Sequence, residues 1–404
     1  MAEIKEFKAI YYNPGRVSLS KVVSPPYDII DDEKKKYLNS LSEYNVVRLI
    51  LNDSSLNPYR EAACLFEDWL AKGILVFDDQ ESLYIYAQRF RYNLQQYIRY
   101  GFIGLLKLEE PGEKVLPHER TYAGPKEDRF KLLKEVRANL SPVFTIFPDS
   151  EKDVLNLLVK AVRDIQPLFN FEFDDMGNTV WKISSPQVIR KIKTALRDKP
   201  ILIADGHHRY EVALWYRNLM RSQEDFPEVE PFDYCMCYFA PIEQKGLLIL
   251  PTHRMVKLTA PWESYRAKLE KSFNIIEVKT AQELFKEMSQ GEKRFGFYNK
   301  RFYLLEFRDK EILRKEKHLD FLDVNILHKF ILGEIINYKG EISYIEDTYQ
   351  AIRLVEEGKY SGVFFLNPTP IADIIKVAQQ NMRMPQKSTY FYPKILTGIT
   401  FYKF

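Results

Sequence analysis

Cysteine is scarce. The chain has three, Cys64, Cys235 and Cys237, in 404 residues. Their number and spacing build neither a disulfide framework nor a zinc site, and such usage suits a reducing cytoplasm. Long apolar runs are missing too, and no stretch approaches the ~18–20 residues a membrane helix needs. The opening MAEIKEFKAIYYN lacks a basic segment followed by an apolar one and a small-residue cleavage site, so no signal peptide is expected. Charge of one sign is also lacking, because 59 basic residues face 56 acidic ones and leave +3. That balance gives no global reason to bind nucleic acid or an anionic membrane, and no helix-turn-helix or basic stripe is evident. No solenoid-period repeat and no low-complexity tract stand out. What remains is ordinary for a globular chain, with 46% hydrophobic and 28% charged residues. The length corresponds to about two to three domains.

Strand and helix signals alternate along the chain, which points to an α/β (mixed α+β) protein with mixed sheets. Residues 22–30, VVSPPYDII, read as a strand broken by Pro25 and Pro26. A short helix over 32–41, capped by Asp31 or Asp32, follows. Residues 44–51, YNVVRLIL, are β-branched and apolar and predict a buried strand. Residues 57–72 carry apolar side chains at helical spacing, with Gly73 as the stop. SLYIYAQRF and QYIRYGFIGLLKL predict a hairpin. A polar loop, PHERTYAGPKEDR, leads to a helix from about 129 to 139. SPVFTIFPD reads as a strand and 153–165 as an amphipathic helix. FEFDDMGNTVWKI reads as a hairpin turning at Met176-Gly177-Asn178. Helix 185–196 precedes a strand, sharp turn and helix from 200 to 220. Strands follow at 234–241 and 246–251. Helices near 262–271 and 281–289, then strands FGFYN and FYLLEF, make a separate α+β stretch. A helix near 321–335, strand GVFFLNP, helix IADIIKVAQQNM and strand TYFYPKIL close the chain. That last order permits a parallel crossover.

The segment richest in chemistry is Ile203-Ala204-Asp205-Gly206-His207-His208-Arg209-Tyr210-Glu211. An apolar strand runs into Asp-Gly, and two histidines and an arginine open a helix. A helix start presents unpaired N–H groups and a partial positive charge, which suit phosphate. Gly206 lets the backbone approach an anion. Arg209 can grip phosphate oxygens in pairs. His207 and His208 can donate to an oxyanion or move protons near neutrality. The plainer alternative has Asp205 capping the helix and the histidines packing. Zinc fits poorly, since adjacent histidines do not share a helix face.

Three further clusters carry charge. In Pro117-His118-Glu119-Arg120-Thr121 and the downstream Lys126, Asp128 and Arg129, a carboxylate could hold magnesium while the cations hold phosphate. The same loop reads equally as solvated surface, with ion pairs worth about 0–1 kcal/mol each. Lys387 beside Ser388 and Thr389 matches a phosphate-binding set in residue type, without the glycine spacing of a Walker loop. In Ser24-Pro25-Pro26-Tyr27-Asp28 the prolines stiffen a turn that could offer Asp28 as a general base, or leave it in solvent. Thr252-His253-Arg254 is open in the same two ways. Cys235 and Cys237 share one strand face, where core packing is expected.

Five boxes make the chain resemble, nearly end to end, a large bacterial and archaeal family, domain of unknown function 1015. They are SPPYD at 24–28, PHERT with KEDR, NLSPVF at 139–144, ADGHHRYEVAL at 204–214 and MPQKSTYFYPKILTG at 384–398. The short DGHHR box is also similar to that of free serine kinases in the ParB/sulfiredoxin-like superfamily. This resemblance implies a ParB/sulfiredoxin-like phosphate-binding core over 1–255 with inserted α+β elements. A small insertion at 256–320 and a C-terminal segment at 321–404 returning to the active site would complete it. It further implies a phosphotransferase that moves a phosphoryl group from pyrophosphate, ATP or ADP, with Mg2+, to the hydroxyl of free L-serine or a similar metabolite. Asp205, Gly206, His207, His208 and Arg209 would then fall on the phosphate-handling turn. On this reading His118, Arg120, Lys126, Arg129, Lys387, Ser388 and Thr389 assist with phosphate. Asp205 or Glu119 would bind Mg2+, and Asp28 or Glu119 would take the hydroxyl proton. A nucleotide-binding regulatory module, using the same turn without turnover, is the alternative. Small-molecule partners are expected in the cytoplasm, with neither nucleic acid nor membrane, and a homo-oligomer stays open.

Overall fold

Alternation over residues 83–107 builds the centre of the larger sheet. Leu83–Tyr92 pairs with Gln95–Lys107, with Asn93 and Leu94 both at positive φ in the two-residue turn. This is a computed structural model, and it describes residues 2–53, 56–224, 226–308 and 322–404. The chain divides into two units. The first comprises residues 1–117, 121–248 and 393–404, and the second 118–120 and 249–392. The sequence places its divisions after 255 and 320, and the second of these lies outside the described residues.

The first unit carries a nine-stranded mixed sheet. Its order runs Val115–Leu116, Ile201–Asp205, Val143–Phe147, Tyr234–Pro241, Gln95–Lys107, Leu83–Tyr92, Met176–Ile183, Phe169–Phe173, with Ile4–Lys5 also on Gln95–Lys107. Two pairings are parallel, Ile201–Asp205 on Val115–Leu116 and Val143–Phe147 on Tyr234–Pro241. Helices Asp153–Val162 and Pro186–Leu196 bury Leu158, Ile189 and Ile192 with Phe102, Phe239, Cys235 and Cys237. Each such aliphatic side chain contributes roughly 1.5–3 kcal/mol. The two thiols therefore belong to the core, as their strand spacing predicts.

The second unit has a six-stranded sheet ordered Phe273–Val278, Phe302–Phe307, Arg294–Tyr298, Gly362–Phe365, His253–Val256, Ser343–Ile345. Its strands separate two cores by their period of two. Phe295, Phe297, Leu305 and Phe364 join helix Trp262–Leu269 and the π-helix Ile326–Ile335. Leu304, Val363 and Phe365 join helices Ala281–Ser289 and Thr348–Glu356. No helix among the described residues is long and apolar enough to cross a membrane.

Several local expectations are corrected. Residues 44–51 hold a one-turn helix, Val47–Ile50, in place of a strand. Residues 22–30 hold the end of helix Leu19–Val22, an isolated bridge at Ser24 and a 3-10 turn Tyr27–Ile29. The helix expected from 129 starts earlier and runs Ala123–Val136, so Lys126, Asp128 and Arg129 lie on a helix and not in a loop. The 169–183 hairpin turns at Asp174-Asp175, both at positive φ, two residues before the expected position. The C-terminal crossover does not form as a parallel pair, since every strand pairing in the six-stranded sheet is antiparallel. The strand expected over TYFYPKIL is short, Tyr390–Tyr392, and a two-residue strand, Tyr402–Lys403, follows it.

Candidate functional site

Strand Ile201–Asp205 ends at Gly206, and helix His207–Gln223 begins at once. Gly206 has φ of +89°, and a Cβ there would stand 2.8 Å from the Arg209 guanidinium. Both the backbone sign and the overlying arginine therefore require glycine. Arg209 is held within the protein. Its Nη2 donates to Asp205 Oδ2 at 2.7 Å, and its Nη1 donates to Ser141 Oγ at 2.9 Å and to the Pro142 carbonyl. Its buried Nε makes no hydrogen bond. The other Asp205 oxygen accepts from Lys394 Nζ, and Lys394 is itself only 10% exposed. Burial acts to raise the Asp205 carboxyl, but Lys394 and Arg209 outweigh it and hold that carboxyl well below the usual range.

Four of the boxes feed this turn directly. Ser24 exchanges backbone hydrogen bonds with Thr397 at 3.2 and 2.8 Å, and Thr397 Oγ1 lies 2.9 Å from Ser141 Oγ. Tyr27 lies under the Arg129 guanidinium at 4.4 Å. Burial pushes the Tyr27 phenol up to about 12, so it stays protonated. Arg129 also donates to Asp128 at 2.7 Å and to the Ile50 carbonyl at 2.6 Å. Asp28 is exposed beside Tyr27 on the same short turn. Tyr27, Arg129, Ser141, Arg209 and Thr397 line a crevice of about 70 Å3 whose remaining walls are largely apolar. That is far below the ~300–1,000 Å3 of sites that enclose whole ligands. It admits a group the size of a phosphate.

The helix face beyond the turn carries His208 and Glu211. His208 Nε2 accepts the Tyr122 backbone N–H at 3.2 Å, which assigns the ring proton to Nδ1. Burial lowers the His208 pKa and outweighs Glu211 and Asp28, so the ring is neutral at physiological pH. Glu211 accepts from Thr121 Oγ1 at 2.7 Å and from Lys126 Nζ at 3.0 Å. It thereby ties helix Ala123–Val136 to the turn. His207 is buried at the start of its helix.

The remaining expected residues belong to the second unit. His118 is fully buried, and its Nε2 lies 2.9 Å from Thr389 Oγ1. Glu119 forms a parallel bridge with Met384, and the Arg120 N–H donates to the Met384 carbonyl at 3.1 Å. Lys387 sits at φ +55°, and its carbonyl accepts from Arg254 at 3.1 Å. Ser388 Oγ donates to the Pro385 carbonyl at 2.6 Å. The expected site thus falls into two sets. Asp28, Lys126, Arg129, Asp205, Gly206, His207, His208 and Arg209 lie in the first unit, and His118, Glu119, Arg120, Lys387, Ser388 and Thr389 in the second.

Sequence reasoning gave no role to Lys394, Glu211 or Arg99. Lys394 stands inside the last box, seven residues after the lysine singled out there. Arg99 is fully buried on strand Gln95–Lys107, donates to Gln88 and to the Pro393 carbonyl, and stacks at 4.6 Å on Phe144. Only its charge at an inward strand position could have marked it. A magnesium site does not fit the protein's own carboxylates here. Both Asp205 oxygens are engaged by cations, and no group of three or more His, Cys, Asp or Glu gathers among the described residues.

The family model described as "Protein of unknown function (DUF1015)" matches residues 4–325. Among solved structures, a free serine kinase variant in complex with AMP aligns at 12% identity and TM-score 0.37, over 70% of this chain and 90% of that one. A conserved hypothetical protein from Pyrococcus furiosus aligns at 14% and 0.37, over 73% and 97%. SbnI with a C-terminal truncation, from Staphylococcus aureus, aligns at 11% and 0.37, over 73% and 85%. No curated protein matches the chain.

Proposed function

We propose that this chain, which belongs to the DUF1015 family, is a phosphotransferase acting on the hydroxyl of a small metabolite, with free L-serine as the acceptor to test first. The observation that carries this reading is the convergence of separate sequence boxes on one strand–glycine–helix turn. The turn joins a helix start to the buried Asp205–Lys394–Arg209 bridge, and Arg209 also lines the small crevice. Phosphoryl transfer needs positioning and charge neutralisation more than covalent chemistry, and this arrangement supplies both.

In this reading the first N–H groups of helix His207–Gln223 receive phosphoryl oxygens. Arg209 is a positioning residue, held at the turn by Asp205, Ser141 and the Pro142 carbonyl. The phenol of Tyr27, protonated at neutral pH, donates at the crevice wall. Asp28 takes the acceptor's hydroxyl proton as its oxygen attacks phosphorus and the bond to the donor's leaving oxygen breaks. His208 serves this role less well, since its free lone pair already accepts from Tyr122. Pyrophosphate, ATP and ADP are the donors to compare. Mg2+ supplied with the donor would neutralise phosphate charge, with no carboxylate of the chain assigned to it.

The test is phosphoserine formation by the full chain from L-serine and Mg2+, with each donor offered separately. Product is expected with one donor. Asp28→Asn alters an exposed side chain, so the variant folds, and its kcat should fall about 10²–10⁴-fold. An unchanged kcat removes Asp28 from the chemistry. Tight nucleotide binding without turnover on any small hydroxyl acceptor would instead make the turn a regulatory nucleotide site.

A further inference from the structure

The second unit holds a cavity of about 410 Å3 that phosphoryl transfer does not use. Its volume is that of a small-molecule site. Thr252 lines it, is 2% exposed, and its hydroxyl has no hydrogen-bond partner. A buried hydroxyl left unpaired is costly, so such an atom marks a place where something else binds.

Arg254, two residues on, lines the same cavity and is 1% exposed. Its guanidinium donates to the Thr252 carbonyl, to His328 Nε2 at 3.1 Å and to the Lys387 carbonyl at 3.1 Å. All three acceptors are neutral. Glu119 and Glu346 act on it only through space. A guanidinium has five N–H groups, so this one keeps donors in reserve. It is a buried cation without a carboxylate bonded to it, which an incoming anion would offset.

The cavity is not simply cationic. Lys293 is ion-paired to Asp323 at 3.1 Å, and Glu292, Asp373 and Lys376 also line it. Asp373 lies in the first turn of helix Ile371–Gln379, so that helix start is already occupied by negative charge. A simple anion would meet these carboxylates, and a simple cation would meet Arg254.

We propose that this cavity binds a small zwitterion, a molecule with one ammonium and one carboxylate, as in a free amino acid. Its carboxylate meets Arg254 and the Thr252 hydroxyl. Its ammonium meets Asp373 and shares Asp323 with Lys293. The site lies wholly within the second unit and does not depend on the phosphotransferase reading.

Calorimetric titration of the full chain, with thermal shift as a parallel readout, tests it. The probes are the standard amino acids, O-phospho-L-serine, acetate, ethylamine and inorganic phosphate. At least one amino acid should bind about tenfold or more tighter than acetate, ethylamine and phosphate, a gap of ~1.4 kcal/mol. Thr252→Val loses no internal hydrogen bond, so it should fold and weaken that amino acid about tenfold. Asp373→Asn should weaken it comparably without weakening acetate. The idea is overturned if no amino acid binds, if acetate or phosphate binds as tightly, or if both variants bind as the parent does.

Discussion

Asp205 holds two cations at once, and this makes its partners unequal. Arg209 keeps Ser141 and Pro142 if Asp205 is neutralised, whereas loss of the nearly buried Lys394 leaves one Asp205 oxygen without its donor while Arg209 still holds the other. A buried polar atom left without its partner costs about 1–3 kcal/mol, and the Arg209 pairing keeps the carboxylate from standing uncompensated. Lys394→Met should therefore lower stability to urea by that order and depress any phosphoryl-transfer rate. Asp205→Asn in the same chain should restore much of the stability without restoring the rate. Recovery of neither would mean that Lys394 acts through other neighbours. The pH dependence has a definite sign. A carboxyl held below its unfolded value of about 3.9 adds stability above that pH and loses it as the solution becomes more acid.

The short helix Val47–Ile50 shows how one side chain overrides a β-branched run. Asn45 is fully buried, and its amide donates to the carbonyls of Lys21 and Val23 at 2.8 and 3.2 Å. Its Oδ1 accepts the Val47 N–H at 3.0 Å, capping the turn. Asn45→Ala should cost about 2–3 kcal/mol in urea unfolding, because several buried backbone groups lose their partner. A loss below about 0.5 kcal/mol would show that packing of Val47, Leu49 and Ile50 sets the turn alone. Period and propensity were sound guides where an element stands on its own pattern. Helix Pro58–Ala71, the 83–107 hairpin and the strand–turn–helix at 201–223 were all legible. They misled where a long-range partner decides, as with Asn45. They also misled where adjacent residues compete for positive φ, as Asp174-Asp175 did against the Met-Gly-Asn that follows. Helix Ala123–Val136 began early because its first turn, Ala-Gly-Pro-Lys, looks like loop. There Glu211 fixes Lys126 from another element.

At the scale of the chain, boxes contiguous in sequence are divided between units. Lys387 and Lys394 stand seven residues apart, yet the division falls at 392, and only Lys394 shares a unit with Asp205. The same holds for His118 and Thr121, since residues 118–120 group with the second unit. Spacing along the chain could not assign these, because a crossing between units leaves no compositional trace. The two units also differ in how they should meet acid. In the second, burial and the nearby Arg254 push His253 down to about 3 and His328 down to about 4. Their bonds agree with neutral rings. His253 Nδ1 accepts from the Leu366 N–H at 3.4 Å, with Thr348 Oγ1 at 3.0 Å from Nε2, and His328 Nε2 accepts from Arg254. Unfolding lets both rings return to about 6.5, so the unfolded chain binds more protons below that pH. The stability they confer is complete above about pH 6.5 and is lost as pH falls through about 4 and 3. Asp323 works in the opposite sense, since burial raises its carboxyl and its contribution fades as pH rises, so it offsets part of the histidine effect. Calorimetry at about pH 7.5 and about pH 5 should therefore show the second unit's transition losing on the order of 2–4 kcal/mol. The first unit, whose Asp205 bridge survives to lower pH, should move less. The double substitution His253→Gln with His328→Gln should flatten the second unit's pH dependence even if it lowers stability throughout. A dependence left unchanged by that pair would place the acid response in other groups.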